Sequence, residues 1–315
     1  MAIAKISFDE CFQAFPKISP PKDFEEFWQN AMNNLKKTPL EPKQKIVLKK
    51  SLGWESIWEI SYRSLGGKTV KGILSIPRKR GKSPAVITFH DYRGQPEVIK
   101  EFRENGIAHL YIDLRDHEET IPSGPEKRQR NLFVDYGLDY PDQSYLFFLY
   151  MDAVRAVDFL RINKDINSEK IGLLGRGIGS AMAVFAASQR PENIAALAIE
   201  KHAFAHLSRW ITLAKTPYAE EFKSIFLNAT KGAKKLQKNL DYFDTLAWSE
   251  SIHVPVLTTV SLQDEEHPAY CGFSFFNHLK TDKSMELFTE QLTDPRFIEQ
   301  RKKTVSFLIE KIKDD

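Results

Sequence analysis

The stretch Ile171-Gly172-Leu173-Leu174-Gly175-Arg176-Gly177-Ile178-Gly179-Ser180-Ala181 constrains the fold of this chain more than any other. A short apolar run suited to a buried strand meets a glycine cluster. Ser180-Ala181-Met182-Ala183-Val184-Phe185-Ala186-Ala187 then opens a helix dense in small residues. Glycine supplies the backbone conformations of a sharp strand-to-helix turn, and small side chains let a helix lie close on a strand. A strand followed directly by such a helix predicts a parallel sheet, because parallel strands need a connection of helical length. The residue at the centre of the turn, Gly177, carries no side chain.

The rest of the chain fits around that unit. Phe24, Phe27, Trp28, Ala31, Met32 and Leu35 repeat at helical spacing behind Pro20-Pro21 and Asp23, which are start signals. Strand character follows over Lys45–Leu48, Trp54–Tyr62 and Val70–Ile76, with Gly66-Gly67 as a hairpin turn. From Ala85 strands alternate with helices. The predicted elements are a strand over Ala85–Phe89, a helix around Glu97–Asn105, a strand over Ala108–Asp113 and an amphipathic helix over Tyr145–Arg161. Beyond the glycine turn come strands over Ile194–Ile199, Val254–Val260 and Met285–Thr289, and helices over Ala269–Leu279 and Phe297–Ile312. The polar segment Arg115–Arg130 is too long for a routine connection and reads as an insertion near a site. We therefore expect one domain over 1–315, with an N-terminal extension over 1–80 and a helical cap-like insertion over about 202–246.

Composition excludes several classes. The charges nearly balance, with Lys+Arg 45 against Asp+Glu 42, and basic runs such as Lys231–Lys238 lie in helical patterns as solvated faces. No nucleic-acid partner is expected, and no apolar run reaches the length of a membrane span. Met1–Glu10 has no signal-like apolar core, and the distant pair Cys11 and Cys271 suggests no disulfide framework. A cytoplasmic setting is the expectation. No cofactor or metal is called for. His117-Glu118-Glu119 beside Asp113 and Asp116 lacks ligand spacing such as H-E-x-x-H and reads as a solvated loop.

Ordered along the chain, a series of motifs resembles the acetyl xylan esterase / cephalosporin C deacetylase family of α/β-hydrolases. The series runs through Pro21-x-Asp23-Phe24-x-x-Phe27-Trp28 and Phe89-His90-Asp91-Tyr92, then the helix Tyr150–Leu160. Gly175-Arg176-Gly177-Ile178-Gly179, Leu240-Asp241-Tyr242-Phe243-Asp244, Pro255-Val256-Leu257, Asp264-x-x-x-Pro268 and Phe276-Asn277-His278-Leu279 complete it. The resemblance implies an α/β-hydrolase fold, with a mostly parallel central sheet and helices on both faces. It also implies a nucleophile elbow, G-x-S-x-G, at Gly175–Gly179. The literal Arg93-Gly94-Gln95 tripeptide lies away from the family's Arg-Gly-Gln position and reads as chance.

The departures from the family fall on its chemistry. Ester hydrolysis on this fold uses Ser, Asp and His in that chain order. Gly177 stands at the nucleophile position. The family's Gly-His-Glu context becomes Leu292-Thr293-Asp294, which puts Thr293 at the histidine position, and no histidine follows His278. Asp264 keeps the acid's place, as a remnant. The family's oxyanion donors map onto the backbone N–H groups of Tyr92 and Ile178, and Asp91 replaces a glycine beside them. A carboxylate there opposes catalysis if it points inward. Arg176 is expected to pair with Asp91 or Asp264, or to fill the old acyl pocket. His90 is expected to hydrogen-bond its own loop, His267 to sit on the rim of the acid loop, and Ser180 to pack helix on strand. Ser261 ends a strand near Asp264 without an identifiable base.

Three functions remain in play on this reading. A non-catalytic member would bind an acetylated sugar, a small ester or a partner. A residual carboxylic ester hydrolase would work through the oxyanion site and an activated water. A structural or assembly protein would use the oligomerising surfaces that the resemblance implies, and a homo-oligomer is expected.

Overall fold

Residues 6–49, 55–78, 80–92, 94, 98–115, 137–229, 232–290 and 294–313 are described in a computed structural model. A nine-stranded sheet runs in the order β1-β2-β3-β5-β4-β6-β7-β8-β9. Its strands are β1 (Lys43–Lys49), β2 (Glu55–Arg63), β3 (Thr69–Pro77), β4 (Ser83–Phe89), β5 (Ala108–Ile112), β6 (Ile166–Gly177), β7 (Ile194–His202), β8 (Val256–Ser261) and β9 (Lys283–Phe288). The joins from β1 through β3 to β5 are antiparallel, and the five joins from β5 to β9 are parallel. This is the α/β-hydrolase fold.

Burial follows the pairing. All seven residues of β4 and all six of β8 are buried, as expected of parallel strands covered on both faces. On one face lie α2 (Phe24–Lys37), α4 (Tyr145–Arg161) and α5 (Ile178–Gln189). Trp28 of α2 anchors that face against Phe147, Tyr150, Phe185, Phe243 and Trp248. On the other face, α3 (Lys100–Glu104) and α10 (Asp294–Ile312) close over Val86, Leu174, Ala196 and Ala198. The face under α10 also holds polar groups: Arg301 lies 3.3 Å from the fully buried Glu200, and Gln300 donates to Thr259 at 2.7 Å.

Three expectations are corrected. The helix over Tyr145–Arg161 exists with those bounds, but it is buried nearly all round rather than amphipathic. Its charges survive burial by pairing, as Asp152 with Arg115 at 2.7 Å and Asp158 with Arg190 at 2.8 Å. The helix expected around Glu97–Asn105 is shorter. A short helix absent from the expectation, α1 (Phe8–Phe12), packs Cys11 against Phe273 of α9 (Ala269–His278). A capping box closed by Ser7 and Glu10 fixes its start.

The segment after β7 carries α6 (Leu207–Leu213), α7 (Pro217–Asn228) and α8 (Ala233–Leu240). Asp244 ties its entry down by accepting from the N–H groups of His206 at 3.0 Å and Leu207 at 2.8 Å. Thr216 caps α7 by accepting from Ala219 N–H at 3.1 Å, and Pro217 follows in the first helical position. That cap aims Tyr218 down at the elbow. Among the described residues no helix is long and apolar enough to cross a membrane. Most of the Arg115–Arg130 segment, with Asp116 and His117-Glu118-Glu119, lies outside the described residues.

Candidate active site

The turn between β6 and α5 has the geometry of a nucleophile elbow. Gly177 sits at φ 54, ψ −126, a conformation that costs any residue with a Cβ. The flanking glycines are required by close approach: a Cβ at Gly179 would lie 2.2 Å from Phe89 O, and one at Gly175 would lie 2.5 Å from Gly179 O. Ser180 is not poised as a nucleophile. It is fully buried, donates to Gly177 O at 2.6 Å and accepts from Ala203 N–H at 3.0 Å, so it pins the elbow to the end of β7.

The space beside Gly177 is filled by a carboxylate. A Cβ built on Gly177 would lie 1.9 Å from the Asp91 carboxylate carbon. Asp91 arrives from the loop after β4, and its Oδ1 accepts from Tyr92 N–H at 2.7 Å and Ile178 N–H at 3.0 Å. Tyr218 O–H adds a third donor at 3.3 Å. The two backbone N–H groups expected as oxyanion donors therefore meet on one atom, and Asp91 points inward and occupies them. His90 holds this loop in place, with Nδ1 2.7 Å from Asp91 O and Nε2 accepting from Leu114 N–H at 3.3 Å.

His267 is not on the rim. Its side chain is 2% exposed and bridges the two carboxylates, with Nε2 3.5 Å from Asp91 Oδ2 and Nδ1 3.7 Å from Asp264 Oδ2. Asp264 Oδ1 accepts from the His267 and Glu266 N–H groups at 3.0 and 2.9 Å, a tight turn that places the imidazole directly over its acid. Tyr218 O–H lies 3.4 Å from His267 Nε2. Burial alone would lower the His267 pKa, but the flanking Asp264 and Asp91 carboxylates outweigh it and hold it at about 9. Burial likewise works to raise the pKa of Asp91, and His267 with the Ile178 and Tyr92 N–H groups keeps it below the usual carboxylate value. Asp264 is also lowered, with His267 and Lys201 outweighing burial.

The other candidates fall elsewhere. Arg176 lies over the ring of Phe297 on α10, 4.0 Å from its centroid, rather than beside Asp91 or Asp264, because side chains alternate along β6 and position 176 faces away from the cleft. Ser261 donates to Glu290 O at 2.6 Å and serves its own loop. Thr293, Arg93 and Gln95 lie outside the described residues. Asp264, Glu266 and His267 could converge on a cation, but Lys201 already stands 4.0 Å from Asp264 and 3.7 Å from Glu266 and neutralises them. Behind His267 a small recess of about 10 Å³, lined by Lys201, His202, Ser261 and Gln300 among others, has room for about one water. A larger open groove of about 970 Å³ runs between α1 and the acid loop, past Phe8, Lys215, Leu262, Glu265 and Tyr270.

The family model for acetyl xylan esterase matches residues 1–311. The chain belongs to the acetyl xylan esterase family. An acetyl esterase of Xylanibacter ruminicola, Axe7A, is 21% identical over 282 residues, which is 85% of this chain. The chain spans only 62% of the length of that relative. Among solved structures, an acetyl xylan esterase from Paenibacillus sp. R4 superposes with a TM-score of 0.83 at 22% identity, over 96% of this chain and 99% of the other. Acetyl xylan esterase 1 from Thermoanaerobacterium sp. JW/SL YS485 gives 0.84 at 17% identity, with the same coverage. At these identities the structural likeness shows the fold alone.

Two members of the site, His267 and Tyr218, carried too weak a signal in the sequence. His267 follows Asp264 by three residues, a spacing that one tight turn closes, and that turn was the available clue. Tyr218 had none, because only the packing of the insertion over the elbow brings it within reach.

Proposed function

We propose that this chain is a member of the acetyl xylan esterase family that does not hydrolyse acetyl esters. The observation that carries this reading is the Asp91 carboxylate, which fills the space of the missing nucleophile and takes both backbone oxyanion donors. An incoming ester finds no hydroxyl at Gly177 and no free donor for its carbonyl oxygen. It also meets an anion where negative charge must develop in acyl transfer. An imidazole and an acid survive at the site in His267 and Asp264, so the deficit lies in the nucleophile and the hole. Any acetylated sugar held by this protein would have to use the open groove beside the acid loop rather than the elbow.

The test is hydrolysis of an activated acetyl ester by the native chain, by Gly177→Ser and by Asp91→Gly/Gly177→Ser. The native chain and the single variant should stay at the level of heat-denatured protein. Activity should emerge only when Asp91 is cleared and the serine supplied together. Turnover of acetyl ester by the native chain that persists in Asp91→Asn would overturn the reading.

A further inference from the structure

The carboxylate that closes the site to acyl donors is oriented for a different reaction. We propose that Asp91, His267 and Tyr218 form a site for small epoxides, converting an epoxide and water to a vicinal diol through an ester formed on Asp91.

The two oxygens of Asp91 have separate surroundings. Oδ1 is held by Tyr92 N–H at 2.7 Å and Ile178 N–H at 3.0 Å, while Oδ2 faces His267 Nε2 at 3.5 Å. Attack by such a carboxylate on an acyl carbon would give an anhydride, and the substrate's carbonyl oxygen would need the donors Oδ1 already holds. Attack by Oδ2 on a saturated carbon makes no such demand. It gives an ordinary ester whose carbonyl oxygen, Oδ1, already lies in the hole. When water later attacks Cγ, the negative charge develops on Oδ1, where the two N–H groups wait for it.

The proton inventory selects an epoxide. Opening the ring forms the Oδ2–carbon bond, breaks one carbon–oxygen bond and leaves an alkoxide that needs a proton and no separate leaving-group pocket. Tyr218 O–H, 3.3 Å from Oδ1, is the nearest hydroxyl donor, and His267 Nε2 at 3.4 Å can return a proton to it. His267 thereby becomes neutral just as alkylation removes the Asp91 charge that favours its protonated form. In the second step the neutral imidazole takes a proton from water. Hydroxide adds to Cγ, the tetrahedral intermediate collapses, and its hydroxyl proton passes to the departing diol oxygen while His267 keeps the proton it took. Asp91 returns to carboxylate, and the proton that entered the diol in the first step is replaced from the water consumed. The sum is epoxide plus water to diol, with no further reactant. Asp264 is a positioning residue that holds the imidazole through Nδ1. The Asp91 side chain is 23% exposed whereas that of His267 is 2% and Tyr218 overall is 1%, so approach is from the Asp91 side and favours slender molecules.

The inference rests on the same placement of Asp91 as the proposed function, and separate assays on one preparation distinguish them. Acetyl ester turnover tests the earlier reading alone. For this one, the native chain is incubated with 1,2-epoxybutane in ¹⁸O-water, the diol is quantified, and the peptide holding Asp91 is weighed. Diol formation above buffer and ¹⁸O in Asp91 after turnover are expected. Asp91→Asn, near-isosteric and still able to accept in the hole, should lose diol formation by about 100-fold or more. His267→Gln should accumulate an adduct of one epoxide on the Asp91 peptide. Absence of diol and of any adduct on Asp91 in the native chain would overturn the proposal, as would diol formation undiminished in Asp91→Asn. The native labelling experiment does not depend on any variant folding.

Discussion

Replacing His267 by Gln removes a buried cation from between two partly buried carboxylates, and the consequence is a pH-dependent loss of stability. The histidine titrates at about 9 in the folded chain against an ordinary 6.5. One pKa unit is worth about 1.4 kcal/mol, so the linkage amounts to roughly 3 kcal/mol. The folded pKa is raised, so this stabilisation is fully present below about pH 6.5, erodes as pH climbs, and is gone above about 9. The stability gap between native chain and variant should therefore narrow by roughly 3 kcal/mol between about pH 6 and pH 10, an order-of-magnitude figure. In a chain of this size that is about 4–5 °C in melting temperature. Denaturant unfolding of both proteins across that range measures it, and a two-dimensional imidazole NMR titration locates the pKa independently. His109 and His202, buried and held near 3, titrate well below the pH range compared. A gap that stays constant with pH, or an imidazole titrating at or below 6.5, would refute the carboxylate bridge as the source.

Three further outcomes follow from named contacts. Gly177→Ser by itself should unfold at lower temperature than the native chain, because its Cβ would lie 1.9 Å from the Asp91 carboxylate carbon; adding Asp91→Gly should recover part of the loss in thermal melts. Ser180→Ala should cost about 1–3 kcal/mol in denaturant unfolding, since it takes the hydroxyl acceptor from the buried Ala203 N–H, and should leave epoxide turnover within about tenfold of native. Arg301→Met removes the cation 3.3 Å from the fully buried Glu200 and should cost about 3 kcal/mol or more, with Arg301→Met/Glu200→Gln melting above the single variant.

Local chemistry made much of the fold legible. Gly179 answers to the distant Phe89 carbonyl, whereas Gly175 and Gly177 could be read as a strand-to-helix turn because backbone approach and positive φ force them within a few residues. The same holds for the helix at Tyr145–Arg161, whose start is fixed by the Ser144 cap. Its burial was not legible, because periodicity reports one apolar face and cannot show a second element covering the other. The short helix at Phe8–Phe12 was missed for the related reason that its apolar face is satisfied only by α9, far away in the chain.

For the site, the sequence by itself determined that Gly177 carries no hydroxyl and that no histidine follows His278. It also set an anion, Asp91, directly before Tyr92, whose N–H the family resemblance implies as an oxyanion donor. Only tertiary structure decided which way that anion points and what faces it. Asp91, Gly177, Tyr218 and His267 come from four separate segments, and their meeting depends on where the sheet sets β4 beside β6 and where the insertion packs. Those placements are fixed by burial summed over the whole core, a non-local quantity that no local pattern records.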